Sequence, residues 1–412
     1  MRIAYITAGA GGTICGNCLR DNALATAMQK LGHEVLLLPV YTPIRTDETD
    51  VSADSVYLGG VNIYLRQKSS LFRNIPALLS RPLDNPGFLR WVSQFAVKTL
   101  PEDLGALTLA TAQGEDGPLR EEIHRLAGFL KGYRPDVIHL TNSMLAGLAT
   151  ALKREVGVPV FCSLQGEDYY LEHLPTPFPE QVFDELRKQA RAIDQMIAPC
   201  RAQAQALGPR LGKTPERIPV VLPGINVEDF EPRGDEPGDP FTVGFLARLA
   251  PEKAPHFLLD ALPTGERLRF AGWVSAEYED YVAPIEKRAE VLRDIDRHTK
   301  IEFLRSLDVL SVPAIYGASK GLYVLEAWAA AVPVVQPRIG VYPELLEAAG
   351  GGGLLFEPGD VDELGAMLEH LRTDPEQARE MGMAGYRAAH EFFTAERMAR
   401  ETVALYEQLH SE

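Results

Sequence analysis

The N-terminal order RIAYIT, a glycine run, a helical pattern and a second apolar run, HEVLLLPV, constrains the fold more than any other stretch. RIAYIT is short, apolar and closed by glycines, which predicts a buried strand. LRDNALATAMQKLG supplies the helix pattern. Strand, glycine loop, helix and strand in that order form a parallel unit, and the loop falls where the strand's carboxyl end meets a helix. Strand-like runs recur at VIHLT (137–141), PVFCSL (159–164) and QMIAPC (195–200), with helical segments between them. Such alternation predicts a parallel sheet covered by helices.

The loop itself, AGAGGTICGNCLRDN (8–22), supports two readings. Its glycines (Gly9, Gly11, Gly12), followed by a helix start near Asn17, suit phosphate binding. Its Cys15-x-x-Cys18 pair suits thiol redox chemistry or a metal. A zinc site needs two more ligands, and there is no second Cys-x-x-Cys. The surroundings are not thioredoxin-like either, and four cysteines in all (with Cys162 and Cys200) are too few for a disulfide scaffold. His139 and His173 have no metal-ligand partners at useful spacing, so structural roles are expected for both and no metal site is expected.

At 412 residues the chain exceeds one ordinary core, and two domains are expected. The boundary falls at VVLPGINVEDFEPRGDEPGDP (220–240), where Pro, Gly and acids crowd together after a strand. A second strand series then runs through FTVGFLARLAPEK, RLRFAG, DVLSVPA, VPVVQP and GGLLFEP, and a helical tail follows from about Pro375 to Leu409. Residues 42 to 135 read as less regular. Within them RQKSSLFRNIPALLSRP (66–82) is basic and apolar without an acid, a pattern that could meet an anionic acceptor or a membrane surface. Pro76 interrupts any long amphipathic helix there, so a solvated loop and helix is the plainer reading. A net charge of −16 argues against a nucleic-acid binder. No apolar run reaches membrane-spanning length, and the N-terminus lacks a basic n-region with a cleavage site, so a cytoplasmic location is expected.

Several motifs of the second half resemble, in order and spacing, those of GT-B retaining glycosyltransferases of the family 4 type. GFLARLAPEK resembles that family's strand followed by Gly-Arg-x-x-x-x-Lys. KGLYVLEAWAAAVPVVQPRIGVYPELLE resembles its donor-site signature, and GGGLLFEPGDVDEL the strand and turn after it. PDVIHL, VVLPGIN and the terminal helices also fit. CGNCLRDNALA, YTPIRTDE and LQGEDYYLEHLP look like one little-described bacterial branch. The resemblance implies two Rossmann-like α/β domains facing each other across a cleft. Their expected bounds are 1–225 on the acceptor side and 226–385 on the donor side, with a tail, 386–412, packing back on the first domain.

The implied reaction moves a sugar from a nucleotide diphosphate sugar to an unidentified acceptor hydroxyl with retention, without a metal or a separate cofactor. Arg248 and Lys253 match the two cations that meet the diphosphate. Both could equally be surface charges. Glu326 matches the carboxylate that accepts from the ribose hydroxyls; otherwise it is an ordinary first-turn glutamate favoured by the helix dipole. Backbone N–H groups around Gly321, Leu322 and Tyr323, with Gly11 and Gly12 from the first domain, would face the phosphates and the transferred sugar. On the acceptor side, Gln165-Gly166-Glu167-Asp168 matches the family's His-Gly turn. Gln165 can position but not transfer a proton, and Glu167, Asp168, Asn17 and Asp21 are acceptor-side candidates.

The departures matter as much. The family has a second glutamate eight residues before the first, and here that position is Ala318. Ala254 and Ala331 stand where glycines are usual. Ala318 admits an inactivating substitution, a natural enzyme with altered donor chemistry, or a protein that binds sugar nucleotide without transferring the sugar.

Overall fold

The computed structural model describes residues 1–9, 16–53, 101–234, 238–262 and 266–410. Gly11, Gly12, Cys15 and the basic stretch 66–82 lie outside these residues. The chain divides into one compact unit, Met1–Val221 with Ala399–Glu412, and a second, Leu222–Met398. Each is built on a parallel sheet. Among the described residues no helix is long and apolar enough to cross a membrane.

In the first unit the strands are β1 (Arg2–Thr7), β2 (Glu34–Pro39), β3 (Val137–Leu140), β4 (Val160–Ser163) and β5 (Gln195–Ile197), in the order β2-β1-β3-β4-β5. β1 carries Ile3, Ala4, Tyr5 and Ile6 with no exposed surface, as a strand covered on both faces requires. The turn after β1 needs glycine: Gly9 has φ +88°, and a Cβ there would meet the Thr42 carbonyl oxygen at 1.8 Å. The helix Gly16–Lys30 follows. The stretch expected to be irregular contains two regular helices, Pro101–Gln113 and Arg120–Tyr133. The second packs Ile123, Leu126, Ala127 and Leu130 into the core at helical spacing, a period that the charged residues between them obscure.

In the second unit the strands are β6 (Thr242–Leu246), β7 (Arg267–Gly272), β8 (Glu290–Arg293), β9 (Val309–Leu310), β10 (Val334–Pro337) and β11 (Gly353–Phe356). Their order is β11-β10-β9-β6-β7-β8. β6 thus has β7 on one side and β9 on the other, and chain order reverses between β6 and β9. Open parallel sheets bind ligands beyond the carboxyl ends of the strands at this reversal. The core beneath it joins Phe245, Phe270, Val309, Val335 and Phe356.

The tail is two helices, Pro375–Glu391 and Ala395–His410. The break between them bonds to the linker: Ile225 N donates to Phe393 O at 2.9 Å and Ala395 N to Ile225 O at 2.8 Å. Gly224 permits this approach, since a Cβ there would lie 2.2 Å from the Thr394 carbonyl oxygen. Ala254 and Ala331 have φ +49° and +59°, left-handed backbone that glycine adopts more readily than alanine. An alanine in that conformation costs about 1 kcal/mol.

Candidate active site

The turn leaving β6 carries Arg248 and Lys253. Arg248 keeps 47% of its side chain exposed and pairs with Glu252 one turn along. Glu252 is buried and its backbone oxygen accepts from Ile315 N at 3.1 Å, which ties this turn to the loop after β9. Lys253 ends the short turn Pro251–Lys253. Its Nζ lies 4.6 Å from the ring centroid of Tyr316 and 6.0 Å from that of Tyr323. Aromatic faces hold a cation while leaving its N–H donors available. Burial, then the charge of Arg248, pulls the Lys253 ammonium down to about 8.

Gly321 begins the facing helix, Leu322–Ala329, as an N-cap in the left-handed region at φ +59°. Leu322 is buried, and Tyr323 in the first turn bonds through its hydroxyl to Tyr342 OH in the first turn of Tyr342–Ala349. Burial pushes the Tyr323 phenol well up, so it is a neutral hydroxyl. Glu326 is not a first-turn residue, contrary to the dipole reading. It sits in the second turn, 9% exposed, and accepts through Oε1 from Lys300 Nζ. Lys300 comes from the helix Arg297–Arg305 and is itself 6% exposed. Ala318 is buried, and its carbonyl oxygen accepts from Val341 N at 2.8 Å.

Lys300 and Lys320 were not anticipated. Lys320 is buried in the loop just before Gly321, with its Nζ 3.3 Å from Ser319 Oγ. Lys300 had a sequence signal: it falls at i, i+3, i+4 spacing with Phe303 and Leu304 on the buried face of its helix. A lysine on an apolar face asks for a partner.

In the first unit the acceptor-side candidates form a buried network at the ends of β1, β3 and β4. Asp21 has no exposed surface, so it does not present its carboxylate to an acceptor. It accepts from Tyr5 OH at 2.9 Å, Thr7 Oγ1 at 2.8 Å, Thr141 Oγ1, Gln165 Nε2 at 3.1 Å and Arg20 Nη1 at 3.3 Å. The reason is helical phase: Asp21 shares the buried face of Gly16–Lys30 with Cys18, Ala25 and Met28. Gln165 is 4% exposed and also donates to Thr141 O at 2.8 Å, in keeping with positioning. Glu167 is likewise committed inside the protein. Its Oε1 accepts from Ser143 N at 2.7 Å and Ser143 Oγ at 2.5 Å, and its Oε2 from Gln165 N at 2.6 Å. Asp168 opens a short helix and accepts from Gln203 Nε2 at 3.0 Å. Asn17, in the first turn of its helix, stays partly exposed.

His139 extends this network to the tail. It is wholly buried, with Nε2 2.8 Å from Ser163 Oγ and Nδ1 bonded to Tyr406 OH of the terminal helix. Burial holds its imidazole well below the usual range and therefore neutral. Cys18, Cys162 and Cys200 are buried and form no disulfide among the described residues, where no group of three or more His, Cys, Asp or Glu could hold a metal either.

Comparison with known proteins bears on this geometry. Residues 22–224 match the glycosyl transferase 4-like domain family, and residues 226–388 match glycosyl transferases group 1. Both halves of the chain are glycosyl transferase domains. It is 28% identical over 239 residues to an MMP alpha-(1->4)-mannosyltransferase of Mycolicibacterium hassiacum, covering 55% of this chain and 57% of that one. To a D-inositol 3-phosphate glycosyltransferase of Stackebrandtia nassauensis it is 29% identical over 316 residues, 68% of this glycosyltransferase and 67% of the relative. The chain therefore spans about three-fifths of the mannosyltransferase's length. The fold is GT-B. Anabaena Alr3699/HepE in complex with UDP superposes with TM-score 0.67 at 17% identity, over 99% of this chain and 100% of that one. Sucrose-phosphate synthase from Thermosynechococcus elongatus superposes with TM-score 0.72 at 17% identity, over 100% and 99%.

Proposed function

We propose that this glycosyltransferase moves a hexose from a nucleoside diphosphate sugar to an acceptor hydroxyl, with retention at the anomeric carbon and without a metal ion or separate cofactor. One observation carries the reading: Lys253 lies within 6.0 Å of the Tyr323 ring, on the helix that bears Glu326, at the reversal point of the second sheet. HepE, of like fold, has been solved with UDP and with UDP-glucose, which supports a nucleotide sugar as donor.

In the proposed reaction the bond between the anomeric carbon and the diphosphate oxygen breaks, and negative charge builds on the departing phosphate. Arg248 offers a fork of N–H donors and Lys253 a compact charge to that diphosphate. Backbone N–H groups of Gly321, Leu322 and Tyr323 add to them. Glu326 accepts from the ribose hydroxyls. The acceptor oxygen enters on the face the phosphate leaves, and its proton passes to the leaving phosphate oxygen. No protein base is then required, in keeping with the buried positions of Asp21 and Glu167.

Lys253 gives this scheme a pH signature. Its folded-state pKa of about 8 lies below the ordinary 10.5, so the unfolded chain binds more protons between those values and this residue's contribution to stability rises with pH there. Diphosphate binding runs the other way, because it uses the charged lysine. Nucleoside diphosphate affinity should fall about tenfold from pH 7 to pH 9, as titration calorimetry would measure. A flat profile across this interval would remove Lys253 from the diphosphate site.

Turnover is tested with Ala318→Glu. The wild-type chain and this variant are compared for hydrolysis or transfer with UDP-, GDP- and ADP-activated sugars. The variant should turn over about tenfold faster, since a carboxylate near the reacting face stabilises developing positive charge on the sugar. Equal, robust rates would show that the position does not matter. Binding of donors with no turnover in either protein would favour a sugar-nucleotide binder, the reading that Ala318 by itself supports.

A further inference from the structure

We infer that Lys300 is a positioning residue of the donor site, holding the Glu326 carboxylate oriented so that its second oxygen meets the ribose diol. The inference rests on the ribose role proposed above for Glu326.

The two residues stand 26 positions apart on different helices and meet in a buried place, Lys300 6% and Glu326 9% exposed. Two charges removed from water are often no more stabilising than a well-packed apolar pair of the same volume. Packing stability alone therefore does not account for an ion pair here. The asymmetry of the contact does. Nζ takes Oε1, while among the described residues Oε2 has no protein hydrogen bond and 12% of the Glu326 side chain stays open. A diol brings two O–H donors, and an ionised carboxylate oxygen has lone pairs for both. Without the ammonium, a carboxylate so placed would turn toward water, and that change removes the oriented acceptor.

Position supports the same role. Tyr323 and Glu326 are three residues apart and share one face of their helix. Tyr323 is the ring beneath which Lys253 lies at 6.0 Å. Tyr323 thus links Lys253 to the helix that bears Glu326, one turn further along.

The test compares dissociation constants for UDP, GDP and ADP with those for their 2′-deoxy counterparts, and for inorganic pyrophosphate. The proteins are wild type, Glu326→Gln, Lys300→Met and Lys300→Arg. Wild type should bind its preferred ribonucleotide about tenfold more tightly than the 2′-deoxy form, the worth of one hydrogen bond to a charged group. Glu326→Gln should bring that ratio close to one. Lys300→Met should lower it at least threefold, on the order of half the hydrogen bond's worth, and Lys300→Arg should keep most of it. Pyrophosphate affinity should stay unchanged throughout, which also reports a folded donor site. A wild-type ratio in Lys300→Met, beside a lost ratio in Glu326→Gln, would overturn the inference and leave the ribose reading standing. An unchanged ratio in Glu326→Gln, or no binding of any nucleotide by wild type, would overturn both. Loss of pyrophosphate binding in Lys300→Met with no recovery of the ratio in Lys300→Arg would make Lys300 a structural residue only.

Discussion

Lys253→Ala should lower kcat/KM for sugar transfer by about a hundredfold or more, the effect of removing one preorganised charge from a developing oxyanion. The size follows from the setting. The ammonium lies against Tyr316 and Tyr323, in surroundings dry enough to depress its pKa to about 8, and a charge there acts on a phosphate more strongly than one in water. The neighbouring cation of the same turn, Arg248, is paired with Glu252. Most of the loss should appear in kcat, because the leaving diphosphate carries more charge in the transition state than in the bound donor. Steady-state kinetics with the preferred donor checks this. A fall confined to KM would mean that Lys253 binds the donor without assisting departure, and a change below threefold would remove it from the site.

Asp21→Ala should destabilise the first unit by about 3–5 kcal/mol, the cost of stripping one partner from a buried charge pair. The substitution leaves Arg20 buried at 3% exposure without its carboxylate, and leaves Tyr5, Thr7, Thr141 and Gln165 with donors aimed at an empty position. Asp21→Asn keeps the volume and part of the hydrogen bonding, and should lose about half as much. Urea unfolding followed by a probe in each unit would measure the effect, since a chain of two compact units need not unfold in one step. A loss under about 1 kcal/mol in Asp21→Ala would show that water reaches the network and that Asp21 is not its hub.

These two residues show how far local pattern carries. Arg248 and Lys253 could be nominated from sequence because their spacing after a strand is a local property. The strand's parallel partners then put that turn at the sheet's reversal point. Asp21 was misread as an acceptor contact because a polar residue one turn into a helix, beside a glycine loop, has the sequence profile of a ligand-binding group. Only the packing of that helix on β2 and β1 turns its carboxylate inward. Glu167 was misread for a related reason: two acids in a loop give no sign that one closes on Ser143, 24 residues earlier. The helix Arg120–Tyr133 was missed because its charged positions dilute the apolar period.

By itself the sequence determined the alternation of strands and helices, the break into two series within 220–240, and the chemical types at the candidate donor site. These depend on neighbours within one or two turns of chain, where hydrophobic period and turn residues act directly. Tertiary structure alone decided the strand order that sets the reversal between β6 and β9, the burial of Asp21, and the meeting of Lys300 with Glu326. Each of these joins segments far apart in the chain. Their energies come from desolvation and pairing in a shared interior, and those terms exist only once the segments are packed together.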